Sequence, residues 1–172
     1  MVRVSGKKML TVLEKESDDM DLRTKLNEEM KKAMREKDQI MLSTIRLILA
    51  AVKERDIQCR TQGASEFASE QDIMSLLQSM IKQRLDSCKT YNEGGREDLA
   101  KREQEEIDVI KSFLPAQLDE QELEKALNDI IDETGAADIK DMGKVMGELK
   151  KQYAGQVDMG KASAIVKKKL SV

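Results

Sequence analysis

The feature that most restricts the fold of this chain is a helical repeat of apolar residues that starts near Asp21. Leu22, Leu26 and Met30 recur at four-residue steps, which places their side chains on one face of an α-helix. Similar repeats continue almost to the C-terminus. Only 2% of the 172 residues are aromatic and Pro115 is the single proline, whereas strands are rich in aromatic and β-branched side chains. The sequence therefore predicts an all-α protein.

The apolar repeats fall into seven predicted helices. They span about residues 21–36, 39–56, 69–92, 97–114, 119–134, 139–153 and 159–170. Asp119 is predicted to start the fifth helix in a capping box with Glu122, and Gly135 to end it, because these residue types satisfy free backbone groups. Apolar residues cover most of the circumference of the second helix, which is therefore predicted to be the most enclosed helix of a bundle. The segment 57–69, which contains Cys59, is predicted to be a loop.

Pro115 is predicted to mark a domain boundary, because proline disfavours helical continuation and a new sequence pattern begins there. The expected organisation has three parts. They are a flexible extension over residues 1–19, a four-helix N-terminal domain over residues 20–115 and a small three-helix tail domain over residues 116–172.

The sequence also leads to an expected location. It has neither a secretory signal nor an apolar run of about 20 residues, so no membrane segment is expected. Residues 1–19 end in several acidic side chains, whereas transit peptides are poor in acids. Cys59 and Cys88 form no CxxC motif. A cytoplasmic protein is therefore expected.

Positive charge and glycine are concentrated near the C-terminus. Residues 143–172 hold seven lysines against Glu148 and Asp158, although the whole chain has a net charge of -3. The same segment contains four of the nine glycines. The sequence DMGK occurs twice, at residues 141–144 and 158–161. This combination indicates a surface that needs both positive charge and bare backbone.

Helical wheels place these lysines and glycines together on the outward faces of the last two predicted helices. A glycine costs up to about 1 kcal/mol inside a helix, but it lets a partner approach the backbone closely. Such a face suits the phosphates of a nucleic acid, and the helix start after Asp158 is expected to add free amides that attract anions. Close packing against another helix is the alternative explanation. The predicted nucleic-acid-binding residues are Lys140, Lys144, Lys151, Lys161, Lys167, Lys168, Gly143, Gly147 and Gly160.

Several kinds of active site are disfavoured by the residues present. The chain has no histidine, which removes histidine-based acid–base catalysis and most zinc sites. Residues 155–162 match the spacing of a P-loop, but Ala162 stands where the Mg²⁺-binding hydroxyl belongs and Asp158 would lie beside the phosphates. No catalytic residue, metal or cofactor is therefore predicted.

A second polar group is predicted across the hairpin of the third and fourth helices. Its members are Lys82, Arg84, Asp98 and Glu106. They form either a polar site or ion pairs on a solvated surface. The second interpretation is favoured, because such pairs are common on exposed helix faces.

Three long runs carry a resemblance to a known family. The runs MIKQRLDSCKTY, GREDLAKREQEEIDVIKSFLPAQLDEQEL and TGAADIKDMGKVMGELKKQYAGQVDMGKASAIVKKKL resemble the YqeY family, and the likeness covers essentially residues 20–172. The resemblance implies a relation to the helical and tail regions of the GatB component of the glutamine-dependent aspartyl/glutamyl-tRNA amidotransferase, whose tail helps to hold tRNA. It also implies that the kinase domain and the glutamine-hydrolysing Ser–Lys site of that enzyme are not present here.

Three functional hypotheses follow. The favoured one is a tRNA-binding or tRNA-associated accessory protein that is not an enzyme by itself. The second is a helical adaptor that binds an amidotransferase or an aminoacyl-tRNA synthetase through the same small-residue faces. The third and least favoured is a free-standing carbon–nitrogen ligase with glutamine as amido donor.

Overall fold

The computed structural model describes residues 21–171, so the proposed extension over residues 1–19 lies outside the described residues. Within the described range the chain forms seven α-helices, one short 3-10 helix and no β-strand, which confirms the all-α prediction. No helix in this range is both long and apolar enough to cross a membrane. The helices are α1 (Leu22–Glu36), α2 (Gln39–Thr61), α3 (Glu70–Glu93), α4 (Glu97–Lys111), α5 (Glu120–Thr134), the 3-10 helix (Ile139–Asp141), α6 (Met142–Gln152) and α7 (Met159–Leu170).

Helix α2 is where the structure departs most from the sequence prediction. It continues to Thr61, because no glycine or proline interrupts the chain before Gly63, whose φ is +67°. Cys59 is therefore buried on a helix rather than placed in a loop. The prediction of the most enclosed helix is confirmed only in part. Helix α2 has seven buried residues, more than any other helix within residues 21–171, but Ile40 and Leu47 are exposed.

Contacts between Cα atoms divide the chain into two units, with the division between Glu70 and Gln71. In the first unit α1 packs against α2. Apolar side chains of both helices are buried, among them Leu26, Ala33 and Ile48. Burial of these side chains provides the main stabilisation of such a helix pair.

An ion pair between a partly exposed arginine and a buried aspartate joins the loop after α2 to both helices of this unit. Arg23 on α1 binds Asp56 on α2 through two hydrogen bonds, with Nη2–Oδ1 at 2.6 Å and Nη1–Oδ2 at 3.0 Å. Oδ1 of Asp56 also accepts from the backbone N–H of Ala68 at 2.8 Å, and Nη2 of Arg23 donates to the Ala68 carbonyl at 3.0 Å. We call these contacts the Arg23–Asp56–Ala68 network. The Arg23 guanidinium lowers the pKa of Asp56, mainly through its hydrogen bonds.

Thr44 on α2 is buried, and its hydroxyl has no hydrogen-bond partner in the part of the chain that the structure describes. Replacing Thr44 with valine keeps a similar shape and removes this hydroxyl. The change is expected to raise the free energy of unfolding by about 1 kcal/mol, because a buried unpaired polar group is unfavourable. Urea unfolding of the full chain measures the effect. Thr44→Ser keeps the hydroxyl and is expected to lower stability, whereas a Thr44→Val protein no more stable than wild type would contradict the argument.

In the second unit the last three helices form a small apolar core. Asp119 and Glu122 make the predicted capping box at the start of α5, and Gly135 ends this helix with a φ of +62°, so these predictions are confirmed. The buried side chains of the core are Leu123, Leu127, Ile130, Val145, Leu149, Val157, Ala162, Val166 and Leu170. This core fixes which sides of α6 and α7 face solvent.

Residues that precede this core contact the turn between α6 and α7. Gln78 on α3 donates through Nε2 to the carbonyl of Val157 at 2.8 Å. Gly155 is buried, and a Cβ atom added there would lie 2.7 Å from Sδ of Met74 and 3.2 Å from Cδ of Pro115. The boundary at Pro115 and the four-plus-three arrangement of helices stay predictions.

Candidate nucleic-acid interface

An internal repeat underlies the basic surface of α6 and α7. Residues 141–151 read DMGKVMGELKK and residues 158–168 read DMGKASAIVKK, so the similarity extends well beyond the doubled DMGK. In each copy Met, Gly and Lys are the first three residues of a helix. The two helices therefore carry the same residue types at equivalent positions near their starts.

The aspartates of the two copies have different roles. Asp158 caps α7, because its Oδ1 accepts from the backbone N–H groups of Gly160 at 2.7 Å and Lys161 at 3.2 Å. Asp141 instead accepts from the backbone N–H of Ala137 at 3.1 Å. This hydrogen bond is the main reason why the pKa of Asp141 is lowered. The two copies of the repeat therefore occupy equivalent helix positions, but their aspartates do not have the same capping role.

The lysines predicted to bind nucleic acid are all exposed. The apolar positions of both helices, such as Val145 and Val166, are buried in the core, so the lysines lie on the solvent side. The exposed lysines are Lys140, Lys144, Lys151, Lys161, Lys167 and Lys168. Lys150 is also exposed. It is not among the residues predicted from the sequence, although it occupies the position in the repeat that corresponds to Lys167.

Each helix carries a small residue between two lysines. On α6, Lys144, Gly147 and Lys151 lie three and four residues apart, which places them in one line along the helix. On α7, Lys161, Ala164 and Lys168 have the same spacing, and all six residues are exposed. We call these lines the α6 row and the α7 row. Both rows present positive charge on either side of nearly bare backbone.

The glycines of this surface differ in what surrounds them. A Cβ atom added at Gly143 or Gly147 would have no neighbour within 4 Å, so packing inside the described chain does not explain either glycine. At Gly160 the added atom would lie 3.1 Å from Oδ1 of Asp158. Gly160 therefore makes room for the helix cap, and only Gly143 and Gly147 leave open backbone for a partner.

Carboxylates partly neutralise the α6 row but not the α7 row. Lys144 pairs with Asp141 at 3.3 Å, and Lys151 pairs with Glu148 at 3.3 Å. Within residues 21–171 neither Lys161 nor Lys168 forms a salt bridge, and the same holds for the other two predicted lysines, Lys140 and Lys167. We therefore expect the α7 row to contribute more to anion binding than the α6 row.

The expected anion site at the start of α7 is not available. Two of its first N–H groups, those of Gly160 and Lys161, already donate to the Asp158 carboxylate. The same carboxylate occupies the place that a phosphate takes in a P-loop. The element that precedes α7 is helix α6, whereas a P-loop follows a strand. The expectation of free amides at this helix start is therefore wrong.

The polar hairpin group is only partly brought together. Arg84 pairs with Glu106 at 3.1 Å and lies 3.9 Å from Glu103, whereas Lys82 is exposed. Asp98 pairs with Arg96, two residues earlier in the sequence, at 3.0 Å. In the described residues there is also no group of three or more acidic or cysteine side chains that could hold a metal ion. The arrangement is that of two separate ion-pair groups.

Comparison with known proteins gives a consistent family assignment. A family model described as a Yqey-like protein matches residues 23–170. The protein "Altered inheritance of mitochondria protein 41, mitochondrial" of Vanderwaltozyma polyspora is 31% identical over 153 residues, which cover 84% of this chain and 80% of the relative. The protein of the same name from Lachancea thermotolerans is 35% identical over 95 residues, covering 55% and 49% of the two chains. That of Saccharomyces cerevisiae is 29% identical over 130 residues, covering 72% and 68%.

The names of these relatives contradict the cytoplasmic location expected from the sequence, because all three describe mitochondrial proteins. The lack of a secretory signal and of a long apolar run does not distinguish the cytoplasm from the mitochondrion. Only the acidic side chains in residues 1–19, which lie outside the described residues, speak against a transit peptide. That composition was not a sufficient basis for the prediction.

Proposed function

Because this chain belongs to the YqeY family, we propose that it is an accessory protein that binds tRNA through the α6 and α7 rows and performs no catalysis of its own. Since its relatives are named as mitochondrial proteins, the proposed place of action is the mitochondrion. An amidotransferase or an aminoacyl-tRNA synthetase would be the enzyme that acts on the bound tRNA.

Gly147 is the observation on which the proposal mainly rests. It lies in the middle of α6, is exposed, and has open space where a side chain would be. Glycine at such a position costs up to about 1 kcal/mol relative to alanine, and no packing inside the described chain compensates for it. A partner that approaches the backbone between Lys144 and Lys151 would compensate for this cost. Phosphate groups need both the close approach and the flanking charge.

The composition of the exposed surface favours RNA over a protein partner at these rows. Several large apolar side chains are exposed in residues 21–171, but none of them lies on α6 or α7. The centre of a protein interface is usually apolar and poor in charge. An adaptor that binds protein through the two rows is therefore the second candidate, and a glutamine-dependent carbon–nitrogen ligase is the third.

A salt series tests the proposal directly. Wild-type protein is expected to bind tRNA with an affinity whose logarithm falls linearly with the logarithm of salt concentration. The double variant Lys161→Ala/Lys168→Ala should reduce the slope by up to about 0.9 for each lost phosphate contact and weaken binding roughly tenfold near physiological salt. The control Lys82→Ala/Lys89→Ala removes the same charge from exposed positions of α3 and should leave the slope unchanged.

Gly147→Leu adds a second arm to this experiment. Leucine is the better helix former, and the space around Gly147 is open, so the variant should melt at the same or a higher temperature while it binds tRNA more weakly. Wild-type tRNA affinity in both the lysine and glycine variants, together with salt-insensitive binding of a synthetase or amidotransferase, would instead support the adaptor. Release of ammonia from glutamine by the isolated chain would contradict the non-catalytic part of the proposal.

A further inference from the structure

Helix α2, in the unit that precedes Gln71, carries an apolar stripe on its exposed side. The side chains of Ile40, Leu47 and Ile57 are 36%, 50% and 55% exposed, and Ala50 is exposed between them. At 100° per residue these four residues lie opposite the buried side of the helix. We call them the α2 stripe. Isolated exposed apolar residues are ordinary, but four along one line of one helix are not.

The spacing of the α2 stripe is that of a helix-pairing seam. Ile40 and Leu47 are seven residues apart, as are Ala50 and Ile57, and Leu47 precedes Ala50 by three. These are the a and d positions of a heptad repeat, where apolar side chains meet a second helix. Ser43 and Glu54 occupy the remaining d and a positions between Ile40 and Ile57. Polar residues at such positions specify the register of pairing at a cost in stability.

A row of positive charges runs beside the α2 stripe. Arg46, Lys53 and Arg60 recur every seven residues and occupy the g positions next to the seam. All three are exposed, and none forms a salt bridge within residues 21–171. We call them the basic flank. Charges at such positions select the partner helix and its orientation.

We propose that the α2 stripe and its basic flank bind an acidic amphipathic helix of another protein. A second copy of this chain is a poorer match than an acidic helix. In an antiparallel pair the basic flanks would face each other, and in a parallel pair they would face the e positions Ala51 and Gln58, which carry no negative charge. A nucleic acid does not fit, because its phosphates would leave Leu47 and Ile57 uncovered and the stripe offers no aromatic ring for base stacking.

Binding of defined peptides to the full chain tests this proposal. The acidic probe is a 21-residue peptide of about three heptads with Leu at a and d and Glu at e and g, whose like charges keep it from pairing with itself. The basic probe has Lys in place of Glu. We expect wild-type protein to bind the acidic peptide at least tenfold more tightly than the basic one, measured by fluorescence anisotropy.

Two variants and one control make the result specific. Leu47→Gln/Ile57→Gln should weaken binding of the acidic peptide by about tenfold or more, because burying a leucine or isoleucine contributes that much. Arg46→Glu/Lys53→Glu should reverse the preference between the two peptides. Leu85→Gln removes an apolar side chain of similar exposure, 49%, on α3 and should change nothing.

Several outcomes would overturn the proposal. They are equal affinity for both peptides, no binding of either, or the same loss in Leu85→Gln as in Leu47→Gln/Ile57→Gln. A wild-type dimer in sedimentation that Leu47→Gln/Ile57→Gln dissociates would make the stripe a self-interface. A loss of tRNA binding in that variant would make it part of an RNA surface. Because the α6 and α7 rows are separate residues, failure of either proposal leaves the other testable.

Discussion

Replacing Asp56 with alanine is expected to lower the free energy of unfolding by about 2 kcal/mol, below the range for breaking a fully buried ion pair. The Asp56 side chain is only 7% exposed, although that of Arg23 is 30% exposed, and this solvent contact moderates the effect. The variant leaves the Arg23 guanidinium without its carboxylate and the buried N–H of Ala68 without an acceptor. Urea unfolding of the full chain, followed by circular dichroism, measures the change.

The matched control for this prediction is Glu54→Ala. Glu54 lies on the same helix, has the same charge and is exposed, so its removal should change stability by no more than about 0.5 kcal/mol. Equal losses in Asp56→Ala and Glu54→Ala would mean that the Arg23–Asp56–Ala68 network contributes nothing beyond surface charge.

The pH dependence of the same network has a definite sign. Arg23 holds the pKa of Asp56 below its ordinary value of 3.8. A carboxyl group whose pKa is lowered by folding stabilises the protein fully above its unfolded pKa, and this contribution is lost as the pH falls through its folded pKa. The stability difference between wild type and Asp56→Asn should therefore be constant above about pH 5 and shrink below about pH 4.

Local signals allowed much of the fold to be predicted from the sequence. Asp119, Glu122 and Gly135 satisfy backbone groups within a few residues of themselves, so their roles follow from residue type and spacing alone. The Arg23–Asp56 pair joins residues 33 positions apart, and neither residue belongs to a periodic pattern. Contacts of this kind depend on how helices pack, which periodicity does not specify.

The candidate site was predictable to a similar extent. The apolar positions of α6 and α7 determine which sides are buried, and therefore that the lysines opposite them are exposed. Pairing of Lys144 and Lys151 with nearby carboxylates was not anticipated. Nor could composition distinguish the glycines, because Gly147 has open space around it whereas Gly155 is buried against a side chain from another helix.

Gly155→Ala is expected to lower the free energy of unfolding by about 2–3 kcal/mol through two separate effects. The φ of Gly155 is +74°, a left-handed conformation that costs other residues roughly 1–2 kcal/mol. The added Cβ would also lie 2.7 Å from Sδ of Met74 and 3.2 Å from Cδ of Pro115. The thioether can shift, but the rigid proline ring cannot, so part of the overlap remains.

Two other glycines provide controls for these effects. Gly135 has a φ of +62° and no neighbour within 4 Å of an added Cβ, so Gly135→Ala should show the backbone cost alone, about 1 kcal/mol. Gly147 has helical backbone and open space, so Gly147→Ala should raise stability by up to about 1 kcal/mol. The expected order of stability is therefore Gly147→Ala, wild type, Gly135→Ala and then Gly155→Ala.

A double-mutant cycle with Met74→Ala isolates the share of the Gly155 packing effect that comes from Met74. Removing the Met74 side chain eliminates the 2.7 Å contact but leaves the one with Pro115, so Gly155→Ala should cost about 0.5 kcal/mol less in the Met74→Ala background than in wild type. The coupling would show that the turn between α6 and α7 is packed on α3, and that truncation at Pro115 removes a native contact of the last three helices. An additive cycle would mean that Met74 yields to the new Cβ without cost. A Gly155→Ala cost no larger than that of Gly135→Ala would mean that backbone conformation alone requires this glycine.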